Sequence, residues 1–172
     1  MSLTTNVKKA ARKVEKAMTG KETEADLLDT LKEEHELVSD LLKKLVDSDK
    51  AGERRSLVAQ IKANLVPHTK AEQKILYDAI IALKDKDAQQ DGEEGYIEHA
   101  LASKTLADLE KISDATSPEH RATAKVLREL VEHHVKEEEN QVWGDAKKHF
   151  SSEQRQAMNQ RYLQEKKKVR LN

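Results

Sequence analysis

The 172-residue sequence has no cysteine, so disulfides, thiolate metal sites and cysteine nucleophiles are excluded. Aromatic residues make up only 3%, with five glycines and two prolines, so little in the chain favours strands or interrupts helices. No apolar run approaches the roughly 18 residues that span a bilayer, and no apolar signal segment follows Met1. The chain therefore reads as a soluble, cytoplasmic protein with no membrane partner. An excess of one charge is also missing. The formal net charge is −1, which gives the whole molecule no strong attraction to nucleic acid. A local basic cluster, Lys8, Lys9, Arg12, Lys13, Lys16 and Lys21, reads as a solvated N-terminal arm over residues 1–22.

What is abundant is charge, 37% of residues, together with alanine and leucine in helical periodicity. Gly20, Gly52, Gly92, Gly95 and Gly144 read as punctuation between helices. A first helix is expected over 23–47, capped by Thr23, with the stripe Leu28, Leu31, His35, Val38, Leu42, Leu45. A second is expected over 52–84, with Leu57, Ile61, Leu65, His68, Glu72, Ile75 and Ala79 inward. Pro67 predicts a kink just before His68. Residues 85–92 read as a polar loop that must run back along the bundle by roughly 10 Å. A third helix follows over 93–113 with His99, Ala102, Leu106 and Leu109 inward. Ser117-Pro118 starts a fourth, running to about 149, with Leu127, Leu130, His134, Glu138 and Val142 inward. Ser151 and Gln154 form a capping box for a fifth over 151–169 that holds Met158, Tyr162 and Leu163 on one side. Short connections imply an all-α, up-down-up-down four-helix bundle over 23–150. Residues 151–172 form a helix packing on it or extending it.

Four of those stripes carry histidine at a core position, and two carry glutamate four residues later: His68 with Glu72, and His134 with Glu138. Residues i and i+4 share a helix face, so each pair aims an imidazole and a carboxylate at one point. The two stretches echo each other, His-x-x-x-Glu-x-x-Ile-Leu-Tyr77 and His-x-x-x-Glu-x-x-Gln-Val-Trp143. Aligning the aromatics selects His134 over His133, which falls about 100° away and is exposed or lies behind the ligands. Glu139 replaces Glu138 only if the helix is locally overwound or bulged. His120 and His149 read as surface residues, and the charge runs 32–34 and 137–139 otherwise as solvated faces.

Burying so many ionisable groups unpaired costs several kcal/mol each, and a metal removes that cost. Imidazole and carboxylate without thiolate suit iron, manganese or zinc. Four imidazoles and two carboxylates able to bridge favour a pair of ions over one.

At these residues the chain resembles the hemerythrin-like, HHE cation-binding family. The resemblance lies in Lys32-Glu33-Glu34-His35-Glu36, Val66-Pro67-His68-Thr69-Lys70-Ala71-Glu72, Glu98-His99 and Glu132-His133-His134-Val135-Lys136-Glu137-Glu138-Glu139, and covers about residues 26–145. It implies a hemerythrin-like bundle holding two non-haem iron ions, oxo- or hydroxo-bridged, with an open position for O2. The implied ligands are His35, His68, Glu72, His99, His134 and Glu138, with Glu72 and Glu138 bridging. Oxygen-carrying members have another histidine one turn after the third-helix ligand, where this chain has Ser103. Water, Glu98, Tyr96 or His133 would then complete that iron, and the resemblance implies a more labile or more reactive centre than in oxygen carriers. The expected function is binding or sensing O2, NO or peroxide. The alternatives are a peroxide-decomposing or Fe(II)-oxidising enzyme and an iron buffer. A monomer or weak homodimer without a nucleic-acid partner is expected.

Overall fold

The computed structural model describes residues 25–171, so the basic arm and the Thr23 cap lie outside the described residues. Those residues form helices and no strands: α1 (Leu27–Asp47), α2 (Ala51–Glu72) continuing through a π turn (Gln73–Tyr77) into α3 (Asp78–Ile81), then α4 (Lys86–Lys111), α5 (Pro118–Asn140), α6 (Val142–His149) and α7 (Ser152–Lys168). Asp26 starts α1 by accepting from the Leu28 N–H at 3.0 Å. Ser117 caps α5, with Pro118 at its first position, and the expected Ser151–Gln154 capping box opens α7. α1 packs on α2 and α5, and α4 packs on α5 and α2. α7 lies across α1 and α2. Among the described residues no helix is long and apolar enough to cross a membrane.

The apolar core has two parts. One gathers Leu31, Ile75, Leu76, Tyr77, Ile80, Trp143 and Tyr162. The other gathers Val38, Leu42, Leu45, Leu57, Ile61, Leu65, Leu106, Leu109 and Leu127. Each bundle helix changes character between the two. His35 separates Leu31 from Val38; His68 and Glu72 separate Leu65 from Ile75; His134 and Glu138 separate Val131 from Val142. On α4, His99 precedes Ala102 of the second part. A buried polar layer therefore crosses the bundle at one level.

Several expectations are corrected. The segment 85–92 is not a loop. Asp85 caps a helix that starts at Lys86, its carboxylate accepting from the Asp87 and Ala88 N–H groups. His99 thereby comes level with Glu72, 3.5 Å away, and no backward-running loop is needed. The helix also runs unbroken through Pro67; the irregularity falls later, at the π turn. Leu163 is exposed while Met158 and Tyr162 are buried.

Gly92 and Gly95 do not punctuate helices. They sit inside α4 on the inward stripe Ala88, Gly92, Gly95, His99. A Cβ at Gly92 would meet Ile81 Cγ1 at 2.8 Å, and one at Gly95 would meet the Tyr77 ring at 2.6 Å. The missing side chains make room for what the π turn pushes inward. Gly95→Ala is thus expected to destabilise the fold by about 1–3 kcal/mol through overpacking. Gly52→Ala, with nothing within 4 Å of the new methyl, should raise stability by about 0.4–1 kcal/mol. Thermal melts of the two variants give the comparison, and equal melting temperatures would contradict the close approach at Tyr77.

Candidate metal centre

Two interruptions in helical geometry shape the polar layer. After Glu72 the chain makes a π turn, in which the Asp78 N–H bonds the Gln73 carbonyl. An α-helix would carry a residue five positions on well round from Glu72. The wider turn brings Tyr77 back toward that face. After Glu138 the chain breaks at Gln141 and resumes as α6. Trp143 there stacks on the His35 ring, with centroids 5.8 Å apart and planes at 14°. The sequence echo between the two His/Glu stretches is thus structural: each is followed by a helix irregularity and then an aromatic ring against the layer.

All six predicted residues are buried. His35, His68 and Glu72 place one ligand atom each within 4.8 Å of one another, and so do Glu72, His99 and His134. Glu72 belongs to both groups. Its Oε2 lies 3.2 Å from His68 Nε2 and 3.5 Å from His99 Nε2. Glu138 Oε2 mirrors it, 3.3 Å from His35 Nε2 and 3.4 Å from His134 Nε2. All four Nε2 atoms face inward. Both carboxylates nevertheless lack hydrogen-bond geometry to any donor, as does His35 Nε2. Buried carboxylate oxygens without donors are costly, and a cation answers that cost. The donor set, nitrogen and oxygen without sulfur, fits iron, manganese or zinc.

The outer nitrogens are held by carboxylates, most of which the sequence reading had treated as solvated. His35 Nδ1 bonds Glu139 at 3.1 Å, His68 Nδ1 bonds Glu34 at 3.0 Å and His134 Nδ1 bonds Glu98 at 2.7 Å. An Nδ1–H donated outward leaves the Nε2 lone pair pointing inward and makes the imidazole a better ligand. His99 Nδ1 has no such partner. Tyr162 on α7 donates to Glu34 and lies 3.1 Å from His68 Nδ1. Lys166 pairs with the other Glu34 oxygen at 2.7 Å. The Tyr77 hydroxyl is 3.4 Å from His134 Nε2.

Glu139 thus meets His35 at its outer nitrogen, and Glu98 meets His134 at its outer nitrogen. Tyr96 bonds Asp78, away from the layer, and His133 is exposed. Ser103 is exposed as well; the inward α4 position after His99 is Ala102. His120 is buried where a surface residue was expected. Its Nδ1 lies 2.9 Å from Arg54, whose guanidinium also donates to the Leu45, Ser48 and Ala115 carbonyls and ties two interhelical connections together. Glu34, Tyr77 and Tyr162 were missed. Glu34 stands beside a predicted ligand, but nothing local says which way it turns.

Charge is arranged in opposition. Burial pushes the His68 imidazole down, but Glu72 and Glu34 overrule it and raise it to about 9. Burial acts likewise on His134, where Glu138 and Glu98 prevail and raise it to about 10. Burial, and then the His134 charge, hold His99 well below its ordinary value. Burial raises Glu72, with Glu138 adding to it. Burial would also raise Glu138, but the neighbouring His134 and His35 imidazoles hold it well down. Without metal, then, two imidazoles carry protons at neutral pH.

An all-α bundle with a buried imidazole–carboxylate cation site defines the class of protein. The chain belongs to the hemerythrin family: the hemerythrin HHE cation-binding domain matches residues 26–144. Domains of this family bind metal cations, and the polar layer offers the groups to do so. A curated protein of Nostoc sp. (strain PCC 7120), described as a DNA nickase, is 26% identical over 129 residues, 75% of this chain and 36% of that protein. The chain thus spans about a third of the length of the curated relative it matches. No solved structure gives a significant match.

A cation bound by His68 and His134 would displace the protons that their raised pKa values favour. Apparent affinity for a redox-inert cation such as Zn2+ is therefore expected to rise as pH increases from neutrality toward about 9. Calorimetry at pH 7 in buffers of different ionisation enthalpy should register net proton release. A binding heat independent of the buffer would contradict it.

Proposed function

We propose that the chain is a non-haem di-iron protein that binds or senses O2 or a related small ligand such as NO or peroxide. The observation that carries this reading is Glu72, shared by two histidine groups and free of hydrogen-bond donors. A carboxylate in that position suits a bridge between two ions. His35, His68, Glu72, His99, His134 and Glu138 are the proposed ligands, with Glu72 and Glu138 bridging. Two iron ions would supply reversible change of oxidation state and an open position for the small ligand. The chain supplies the rest. Glu139, Glu34 and Glu98 fix three imidazoles in orientation. Tyr77 places a hydroxyl beside His134 Nε2.

A small cavity of about 10 Å³ adjoins the four histidines. Val38, Leu65, Ala102, Val131 and Val135 give it apolar walls, which favour an uncharged diatomic ligand over an ion. The activity named for the Nostoc protein is not extended to this chain, which aligns with little more than a third of it.

Protein loaded with Fe(II) under anaerobic conditions is expected to hold close to two iron ions per chain, as a dinuclear bundle site requires. Glu72→Ala should lose most of that iron and the thermal stabilisation that iron confers. A one-to-one ratio, or equal thermal shifts for both proteins, would overturn the dinuclear reading. Stopped-flow mixing of the loaded protein with O2 and with peroxide separates a binding protein, which forms a lasting adduct, from an enzyme that consumes peroxide.

The corrected register gives a second outcome. Ala102→Leu should fill the apolar cavity and slow adduct formation with O2 or NO at unchanged iron content. Ser103→His should change neither, because position 103 faces solvent. The reverse pattern would mean that the third-helix register is wrong.

A further inference from the structure

A second approach to the polar layer runs between α4 and α5 and is lined quite differently. It is a narrow cleft of about 10 Å³. Asp91, Glu94 and Glu98 come from α4, Glu137 and Glu138 from α5, and no lysine or arginine lines it. Next to it stands a cluster outside the proposed ligand set. His133 Nε2 lies 3.3 Å from Glu137 Oε2 and 3.6 Å from Glu98 Oε1. One atom from each of the three falls within 4.8 Å of the others. One imidazole and two carboxylates are suitable donors for a first-row divalent cation.

Glu138 gives this cleft a direction. It is 2% exposed, it lines the cleft, and neither of its carboxylate oxygens has a hydrogen-bond donor. It follows Glu137 in the chain, so the outer cluster and the polar layer are adjacent on α5. Glu98 spans the same step from α4. Its Oε1 faces His133, while its Oε2 accepts from His134 Nδ1 at 2.7 Å. We propose that Glu98, His133 and Glu137 form an outer divalent-cation site that captures metal and loads it into the polar layer through the acidic cleft.

This proposal rests on the polar layer being a metal centre. The physical need for such a site comes from hydration. The cleft has room for about one water-sized sphere, so an aquated cation must exchange waters for protein donors on the way in. The outer three residues offer that exchange at the surface, and Glu138 offers the next oxygens inward. Acidic walls without a basic residue raise the local concentration of cations. The cavity beside Val38 and Ala102 has a single acid in its lining, Glu34, which is already paired with Lys166, so the acidic cleft is the better route for a cation.

The test uses Co2+ alone as probe, with the full chain. His133→Gln combined with Glu137→Gln removes the outer site and spares all six core residues. Uptake is followed by stopped-flow absorbance and final content by metal analysis. The double variant is expected to load at least about tenfold more slowly, on the scale of electrostatic guidance of charged ligands, yet reach the wild-type cobalt content and melting temperature. Asp108→Asn removes the same formal charge from a half-buried position farther along α4, where Asp108 pairs with Lys104 and Lys111, and should load at the wild-type rate. Equal rates for the double variant and wild type at equal content would overturn the outer site and leave the core reading intact. A wild type that takes up no cobalt would overturn the core reading and this proposal with it. Equal slowing by Asp108→Asn would also overturn it, because net charge would then account for the rate.

Discussion

The structure depends on two buried carboxylates that no donor satisfies. Glu72 and Glu138 sit in the middle of an otherwise apolar bundle, each between imidazoles from two helices. Left alone, such groups oppose folding by several kcal/mol. Their cost is shared with histidines that take up protons, so the metal-free layer is a compromise of partial charges. A cation bound there would resolve the compromise, link metal binding to stability and tie all four bundle helices to one point. The division of the core into two apolar parts follows from the same layer, which the polar residues occupy.

Around that layer lies a shell of carboxylates that orients the imidazoles. Three of the four histidines present Nδ1 to an acid from a different helix: Glu139 for His35, Glu34 for His68, Glu98 for His134. Each pairing fixes a ring and couples two helices, so the packing of the bundle and the aim of the imidazoles are one property. His99 is the exception, with a free Nδ1 and a strongly lowered affinity for protons. It is held by packing against Tyr77, at 5.2 Å between ring centroids, and by His134, whose ring lies 4.5 Å away. The C-terminal helix takes part as well. Tyr162 and Lys166 both reach Glu34, extending the support of His68 beyond the segment matched by the family domain.

Much of this was legible along the chain. Helical composition, the capping signals at Ser117 and Ser151, and stripes with a 3–4 spacing placed the helices. The same stripes showed His35, His68, Glu72, His99, His134 and Glu138 as polar residues at apolar positions. Periodicity identifies such residues because a helix has a fixed repeat, and the face a residue occupies follows from its number. The segment 85–92 was misread for a local reason. Its charges and Gly92 look like a loop, yet Gly92 and, three residues on, Gly95 are small because Ile81 and Tyr77 occupy the space beside them. Only the partner helix reveals that.

The sequence by itself determined the all-α class, the approximate order of the bundle helices and the six inward polar residues, because each is a consequence of helical periodicity within one segment. The tertiary structure decided everything that depends on two segments at once. It showed that Glu34 serves His68, that Glu139 braces His35 from outside, and that Ser103 faces solvent while Ala102 faces the cavity. It buried His120 against Arg54, and it used a π turn to bring Tyr77 to the layer. The physical reason is that a side chain's face is set by local geometry, whereas its partner is set by how helices pack, and packing is not written in the period of any one of them.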